Sequence, residues 1–391
     1  MNGFATVQPG FEPALLEELQ ELGFQPAMIP GGARFAATPA DIARVAKTAR
    51  TPTAVYAELV EAPTRTPEEL VALVRKVNWK EWLLPDARVN VVATTKGSRM
   101  RFKDGIEGKV GHALADARKG PRIPEREARP RQTQTLRVRV EGTSAMLSLD
   151  AGGELLHKRG WRTEAVGAPI RENLAAALLF TAGWHGADVL CDPFCGSGTI
   201  AIEAALLAAG RAPFARRDFA CDEWAAVANA GRGGHADRGG ARGAFGGPPR
   251  ARFPPKNAGS RGPTSPARKG SPVAIYGFDK DPRALVISAA NAERAGVKVH
   301  WRACDIADLQ APASMGTVVT NPPWGMRLGQ SVASVYHHFG VTMRERFPGW
   351  PVFFLSPDME TAKRVDPKVR RIVVFPSGGL RVGLYVVEPT R

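Results

Sequence analysis

The sequence predicts an α/β chain in two parts, an N-terminal α+β region followed by a parallel sheet with helices on both faces. Three observations predict it. Short strand-like runs alternate with amphipathic helices over residues 1 to about 60, a compact α+β unit. From Val189 onward, apolar strands alternate with helices in the rhythm of a parallel sheet. One of those strands runs into "DPFCGSGT", a tight glycine-containing turn that opens an Ala/Leu helix.

Taken in order, "FATV" reads as a strand and "FEPALLEELQELGF" as a helix with Leu15, Leu16, Leu19 and Leu22 at helical spacing. "ARFAA", a helix near residues 39 to 50, and "AVYAELVEA" follow. In "RTPEELVALVRKVNW", Thr66 is the expected N-cap, with Pro67 at the first helical position and Glu69 three residues after the cap. Next come a strand "RVNVVATT", a helix around "FKDGIEGKVGHALADAR" and two strands, "QTLRVRVEG" and "SAMLSLDA". The basic stretch "LLHKRGWR" and the helix "APIRENLAAALLFTAGW" lead into the parallel-sheet rhythm, which closes with "PVFFLS", "RRIVVFP" and "LRVGLYVVE".

Length and composition bound the function. The 391 residues suffice for two domains or three small ones, and a net charge of +15 with a pI near 10.1 favours an acidic partner. Nucleic acid is preferred to a membrane surface, because no apolar run approaches the roughly 18 residues of a spanning helix. The start "MNGFATVQPG" lacks a basic-then-apolar leader, and Cys191, Cys195, Cys221 and Cys304 make no disulfide framework, so a cytoplasmic protein with buried thiols and no metal is expected. Residues 225 to 271 break the rhythm with a Gly-, Pro-, Arg- and Ser-rich insert read as mostly disordered. Its seven arginines and two lysines against one aspartate give it +8 of the total. It is either a tolerated surface insertion or an arginine-rich arm on RNA phosphates.

The chemistry is carried by four strand ends. Gly196 and Gly198 let a ligand approach the main chain, and the following helix start offers N–H groups. No Gly-Lys-Ser/Thr follows, so the turn is not a P-loop. A second strand ends at Asp279, where a carboxylate accepts ribose hydroxyls; its distance from the glycine turn becomes nearly ordinary once the insert is excised. A third is followed by Asp305, placed to accept from an adenine amino group, whereas Asp281 reads as a helix cap. The fourth, "TVVTNPPWG", runs β-branched residues into Asn321, Pro322, Pro323 and Trp324. The prolines stop the strand and hold Asn321 and Trp324 stiffly at its tip, a place suited to a planar substrate.

In that order the four ends resemble class I S-adenosyl-L-methionine-dependent methyltransferases that modify planar nitrogen, "TNPPWG" being similar to their Asn-Pro-Pro-Tyr motif. Tyrosine or phenylalanine is usual where this chain has Trp324. Almost end to end outside the insert, "FATVQPGFEPALLEELQELGF", "SRMRFKDGIEGKV", "LSLDAGGELLHKRGWRTEAVGAPIRENLAAALL" and "PSGGLRVGLYVVE" resemble the bacterial THUMP-domain RNA methyltransferases that make N2-methylguanosine, especially those acting on 23S rRNA. The resemblance implies a ferredoxin-like region at 1–60, a THUMP RNA-binding domain at 61–155 and a Rossmann-like methyltransferase domain at 156–391. It implies a cofactor site of Asp192, Cys195, Gly196, Ser197, Gly198, Thr199, Asp279, Asp305 and Asn321. An exocyclic amine is a poor nucleophile; the Asn321 side-chain carbonyl and the Pro322 backbone carbonyl are expected to accept its two hydrogens, with Trp324 stacked on the base.

For RNA, "HKRGWR" reads either as a solvated linker or as Lys158, Arg159 and Arg162 holding phosphates. Ser98, Arg99, Phe102 and Lys103 read as RNA contacts or as a capped helix entry. The expectation is therefore a guanine-N2 methyltransferase of 23S rRNA. Rivals are a tRNA guanine-N2 methyltransferase, a protein glutamine methyltransferase, and a non-catalytic RNA-binding or assembly factor.

Overall fold

The computed structural model describes residues 1–100, 103–118, 132–167, 169–215, 217–227, 273–324 and 332–389. Phe102 and nearly all of the arginine-rich insert lie outside the described residues; at the insert's start, residues 225–227 still form a helical turn, with Val227 packed on the core.

The N-terminal strands form one seven-stranded sheet. Strands β1 (Asn2–Thr6), β2 (Ala27–Ile29), β3 (Gly32–Ala36), β4 (Ala54–Pro63), β5 (Val89–Lys96), β6 (Gln134–Glu141) and β7 (Ser144–Asp150) lie in the order β2-β3-β1-β4-β7-β6-β5. The ten-residue β4 is long enough to pair antiparallel with β1 through Ala54–Glu58 and with β7 through Tyr56–Pro63, so one strand belongs to both halves of the sheet. Helices α1 (Glu12–Glu21), α2 (Pro39–Thr48), α3 (Pro67–Lys76), α4 (Trp79–Trp82) and α5 (Lys103–Ala117) are the helices of this region. The start of α3 is the expected capping box: the Thr66 side chain accepts from the Glu69 N–H and the Glu69 carboxylate from the Thr66 N–H. The three-residue β2 escapes sequence reading because "AMI" is too short to show a period.

The second sheet holds β8 (Leu190–Asp192), β9 (Ile275–Asp279), β10 (His300–Ala303), β11 (Thr317–Thr320), β12 (Val352–Ser356), β13 (Arg370–Ser377) and β14 (Leu380–Val387) in the order β10-β9-β8-β11-β12-β14-β13. It is parallel from β10 to β12 and closes with the antiparallel β13/β14 hairpin. With α6 (Glu172–Thr181), α7 (Thr199–Ala208), α8 (Pro282–Ala295), α9 (Val332–Arg346) and α10 (Met359–Lys363), this is a Rossmann-like α/β domain. Strand order reverses between β8 and β11, and ligands of such sheets sit outside the carboxyl ends of the strands at that reversal.

Polar groups buried from both sides join the two sheets. Arg50 crosses to the carbonyls of Leu206 and Arg211 and is braced from its own side by Glu18 of α1, which accepts from the N–H groups of Arg50 and Thr51, at 2.6 and 2.9 Å, and from the Thr51 hydroxyl at 2.7 Å. Arg159, fully buried, pairs with Glu203 of α7 at 3.2 Å and donates to the Leu156 and Arg50 carbonyls. Phe11 meets Phe375 of β13 edge-on at 5.0 Å, and Trp224 packs on Trp82 while donating to Gln134 of β6. A single cluster of buried side chains, from Ala5 to Val386, runs through both sheets.

Candidate active site

The cleft lies at the β8/β11 reversal and has a volume of about 700 Å³. Four of its walls come from the tips of strands. After β8 the turn Pro193–Gly198 is held from three directions: the Cys195 N–H donates to the Phe278 carbonyl (2.9 Å), Ser288 Oγ to the Gly196 carbonyl (2.6 Å), and Asn291 Nδ2 to the Ser197 carbonyl (3.1 Å). Gly196, at φ +52°, lines the cleft, and a Cβ there would meet nothing within 4 Å, so the main chain is open to a ligand. Gly198, at φ +82°, is a correction to the expected cofactor set. It is not on the cleft wall; a Cβ there would lie 2.8 Å from Trp301 and 3.1 Å from Ser288, so this glycine serves close packing.

Asp279 ends β9 and is oriented by two main-chain donors, Gly196 N–H at 3.0 Å and Asp281 N–H at 2.9 Å. Asp281 caps α8 through the Arg283 N–H, the bland role the sequence assigned it. Asp305 lines the cleft beyond β10, with Oδ1 held by the Ala307 N–H in a local turn. Asp192 is buried and accepts from the Thr320 hydroxyl at 2.6 Å, tying the tips of β8 and β11 together; burial pushes its carboxyl up to about 7. Burial also raises the Cys195 thiol well above its ordinary range, which keeps it protonated and inert. The side chains of Ser197 and Thr199 are engaged by the protein itself, accepting from the Val166 N–H and from Arg162.

On the fourth wall, Asn321, Pro322, Pro323 and Trp324 follow buried Thr320. Trp324 is half-buried, packs against the main core, and donates its indole N–H to Asn321 Oδ1 at 2.8 Å. The cleft therefore brings together every predicted cofactor or catalytic residue except Gly198. Sequence reading missed Ser288 and Asn291, fully buried polar residues three apart on α8 that hold the glycine turn. Their only sequence signal was polarity on a helix face that should be apolar. Val335 and His338 of α9, also on the cleft wall, had none.

The basic segment divides. Arg159 is a second correction: with no exposed surface and its guanidinium committed to Glu203 and two carbonyls, it cannot hold an RNA phosphate. Arg162 turns inward, pairing with Glu172 at 2.7 Å and donating to the Ile170 carbonyl and the Thr199 hydroxyl beside the cleft. Burial raises Glu172 to about 7. Lys158 is exposed and 3.1 Å from Glu154. Ser98 is buried and accepts from the Met100 N–H, a local structural role, whereas Arg99 and Lys103 are exposed.

A parallel sheet with an open glycine turn, a carboxylate at the second strand tip and an Asn-Pro-Pro-aromatic tip on the fourth defines a Rossmann-like methyltransferase domain. Residues 159–377 match the RMKL-like methyltransferase domain family, and residues 2–56 match the RlmL ferredoxin-like domain. The chain belongs to the RMKL-like methyltransferase family. It is 32% identical to the ribosomal RNA large subunit methyltransferase K/L of Methylococcus capsulatus, over 99% of this chain and 51% of that protein. The protein of the same name from Syntrophotalea carbinolica is 31% identical, over 97% of this chain and 52% of the relative. The chain thus spans about half the length of these relatives. Among solved structures, a predicted N6-adenine-specific DNA methylase from Listeria monocytogenes superposes with a TM-score of 0.78 at 26% identity, covering all of this chain and 96% of the other. A methyltransferase crystallised with SAH gives 0.77 at 26% identity, covering all of this chain and 98% of that one.

Proposed function

We propose that the chain is an S-adenosyl-L-methionine-dependent methyltransferase that forms N2-methylguanosine in structured RNA, with 23S rRNA as substrate. The observation that carries the reading is that Asn321, at the tip of β11, opens on the same cleft as the Gly196 main chain and the Asp279 carboxylate. The fit to the cofactor is supported by the uncovered side of Gly196 and by an Asp279 carboxylate pre-oriented by two N–H donors at the second strand tip. The relative crystallised with SAH adds to it. When bound, the cofactor supplies an electrophilic methyl group.

The chain's own part is positioning. Asn321 Oδ1 and the Pro322 carbonyl accept the two hydrogens of the exocyclic amine, which aims the nitrogen lone pair and stabilises the positive charge it acquires. Asn321 does not titrate near neutral pH, so the proton departs after transfer, when the nitrogen has become acidic. The RNA half is supported by the net +15 charge, by the names of the relatives, and by a large N-terminal region, read as ferredoxin-like to residue 60 and THUMP to 155, that a small-molecule enzyme would not need. Arg99, Lys103 and Lys158, all exposed, are the proposed phosphate contacts.

The test is methylation of large-subunit rRNA from cells lacking this protein, with nucleoside analysis of the product. N2-methylguanosine at one position is expected. Methylated adenine would overturn the base assignment, and labelling of tRNA in preference to rRNA would overturn the substrate.

A further inference from the structure

We infer that Trp324 is a positioning residue whose indole N–H sets the orientation of the Asn321 amide. The inference rests on the reading of Asn321 as acceptor of the target amine. The two ends of an asparagine amide are nearly identical in shape and opposite in chemistry: one accepts, the other only donates. An Asn321 turned the wrong way would face the substrate amine with its own NH2, two donors in opposition.

Indole nitrogen has one hydrogen to give and nothing to accept with. It lies 2.8 Å from Asn321 Oδ1, so only one amide rotamer satisfies it. The other would place two N–H groups face to face at the edge of the core. The donor is itself fixed. Pro322 and Pro323 lock φ at both intervening positions, and the Trp324 ring packs against the main hydrophobic cluster. Oδ1 has two lone pairs, so after receiving the indole hydrogen it keeps one for the target amine.

Phenylalanine at this position brings no donor, and the tyrosine hydroxyl projects from the far end of its ring. The tryptophan therefore adds to the stacking expected of any aromatic a function that neither of the others supplies. Nothing else on the cleft wall is hydrogen-bonded to the Asn321 side chain among the described residues.

The experiment is Trp324→Phe in the full-length chain, which keeps an aromatic face and removes the donor. On the RNA that the chain methylates, kcat should fall about tenfold, the scale of one oriented hydrogen bond, with RNA KM and cofactor Kd within about twofold of the parent. An unchanged kcat overturns the inference. A raised kcat also overturns it, because the N–H would then be competing with the amine for Oδ1. In an Asn321→Asp background an oxygen stands at both ends of the side chain, so the Phe penalty should shrink to within about twofold. An equal penalty in both backgrounds assigns Trp324 to packing alone and overturns the inference.

A readout without turnover completes the test. Hydrogen exchange of the Trp324 indole N–H, followed by NMR in the cofactor-bound protein, should be slow in the parent and faster in Asn321→Ala; equal exchange overturns the hydrogen bond. That measurement stands or falls independently of the substrate, whereas a product other than N2-methylguanosine sinks the proposed reaction and leaves the exchange result intact.

Discussion

Two regions of this molecule take polar side chains out of water, and they treat them differently. At the junction of the sheets, Glu18, Arg50, Arg159 and Glu203 are buried and directed at one another or at main-chain groups. In the cleft, Asp279, Asp305 and Asn321 also have protein partners, yet each is on the wall of an open cavity with acceptor capacity remaining. A buried charge sealed from solvent against its counter-charge is architecture, and a partly spent acceptor facing a cavity is a binding group. Arg159 and Lys158 make the point one residue apart, the first sealed against Glu203 and the second in solvent.

The sharpest way to break the comparison is at the junction. Glu203→Leu strands the Arg159 guanidinium without its counter-charge, and breaking a buried pair of this kind costs about 3–5 kcal/mol. Denaturant unfolding should show that loss, with a smaller loss in the Arg159→Leu/Glu203→Leu double variant than the two single losses added together. Strict additivity would mean that the pair is not coupled.

Asp192 stands between the two regions, buried like the junction yet on the cleft wall. Its carboxyl is raised by burial from 3.8 to about 7, so the folded state holds a proton that the unfolded chain releases. Stability should therefore decline as pH rises from about 4 to about 7 and level off above that, by on the order of 2–4 kcal/mol. Asp192→Asn should make that decline shallower in the cofactor-free protein, leaving the part that Glu172, also raised to about 7, contributes, as followed by thermal melts at pH 5 and 8. Parallel pH profiles for parent and variant would show that Asp192 is ionised throughout.

Within the cleft, Asn321→Ala should change cofactor affinity little and lower turnover roughly a hundredfold, the cost of one preorganised transition-state contact. Single-turnover methylation with calorimetry of cofactor binding separates the two quantities. The smallest effect belongs outside both regions. Lys158→Ala should weaken RNA binding slightly and reduce the dependence of log affinity on log salt by about one unit, with kcat unaltered. An unchanged salt slope would remove Lys158 from the RNA surface.

The junction also bears on how the chain divides its work. Since the buried cluster is continuous through both sheets and Arg159 crosses between them, a catalytic fragment cut near residue 165 would lose packing as well as the proposed RNA contacts. Point variants on the surface of the N-terminal region are therefore the cleaner probe of substrate choice.

What the sequence by itself determined is whatever depends on a few consecutive residues. The Thr66 capping box, the Asp281 cap, the left-handed glycines after β8 and the abrupt end of β11 at two prolines are all local, because capping, φ and loss of an N–H are decided within one turn of chain. The order of the four strand tips was legible for the same reason. Only the tertiary structure decided what depends on distant partners. Arg159 looked like a surface cation until it met Glu203, 44 residues on, and the Arg50 carbonyl, 109 residues back. Ser288 and Asn291 support the glycine turn from 92 and 94 residues away. Burial is set by which segments happen to cover one another, and a side chain's free or spent hydrogen-bonding capacity follows from burial. Composition and spacing carry no record of either, so residue type could mark where the cleft would form while the packing alone settled which of its polar groups remain available to a ligand.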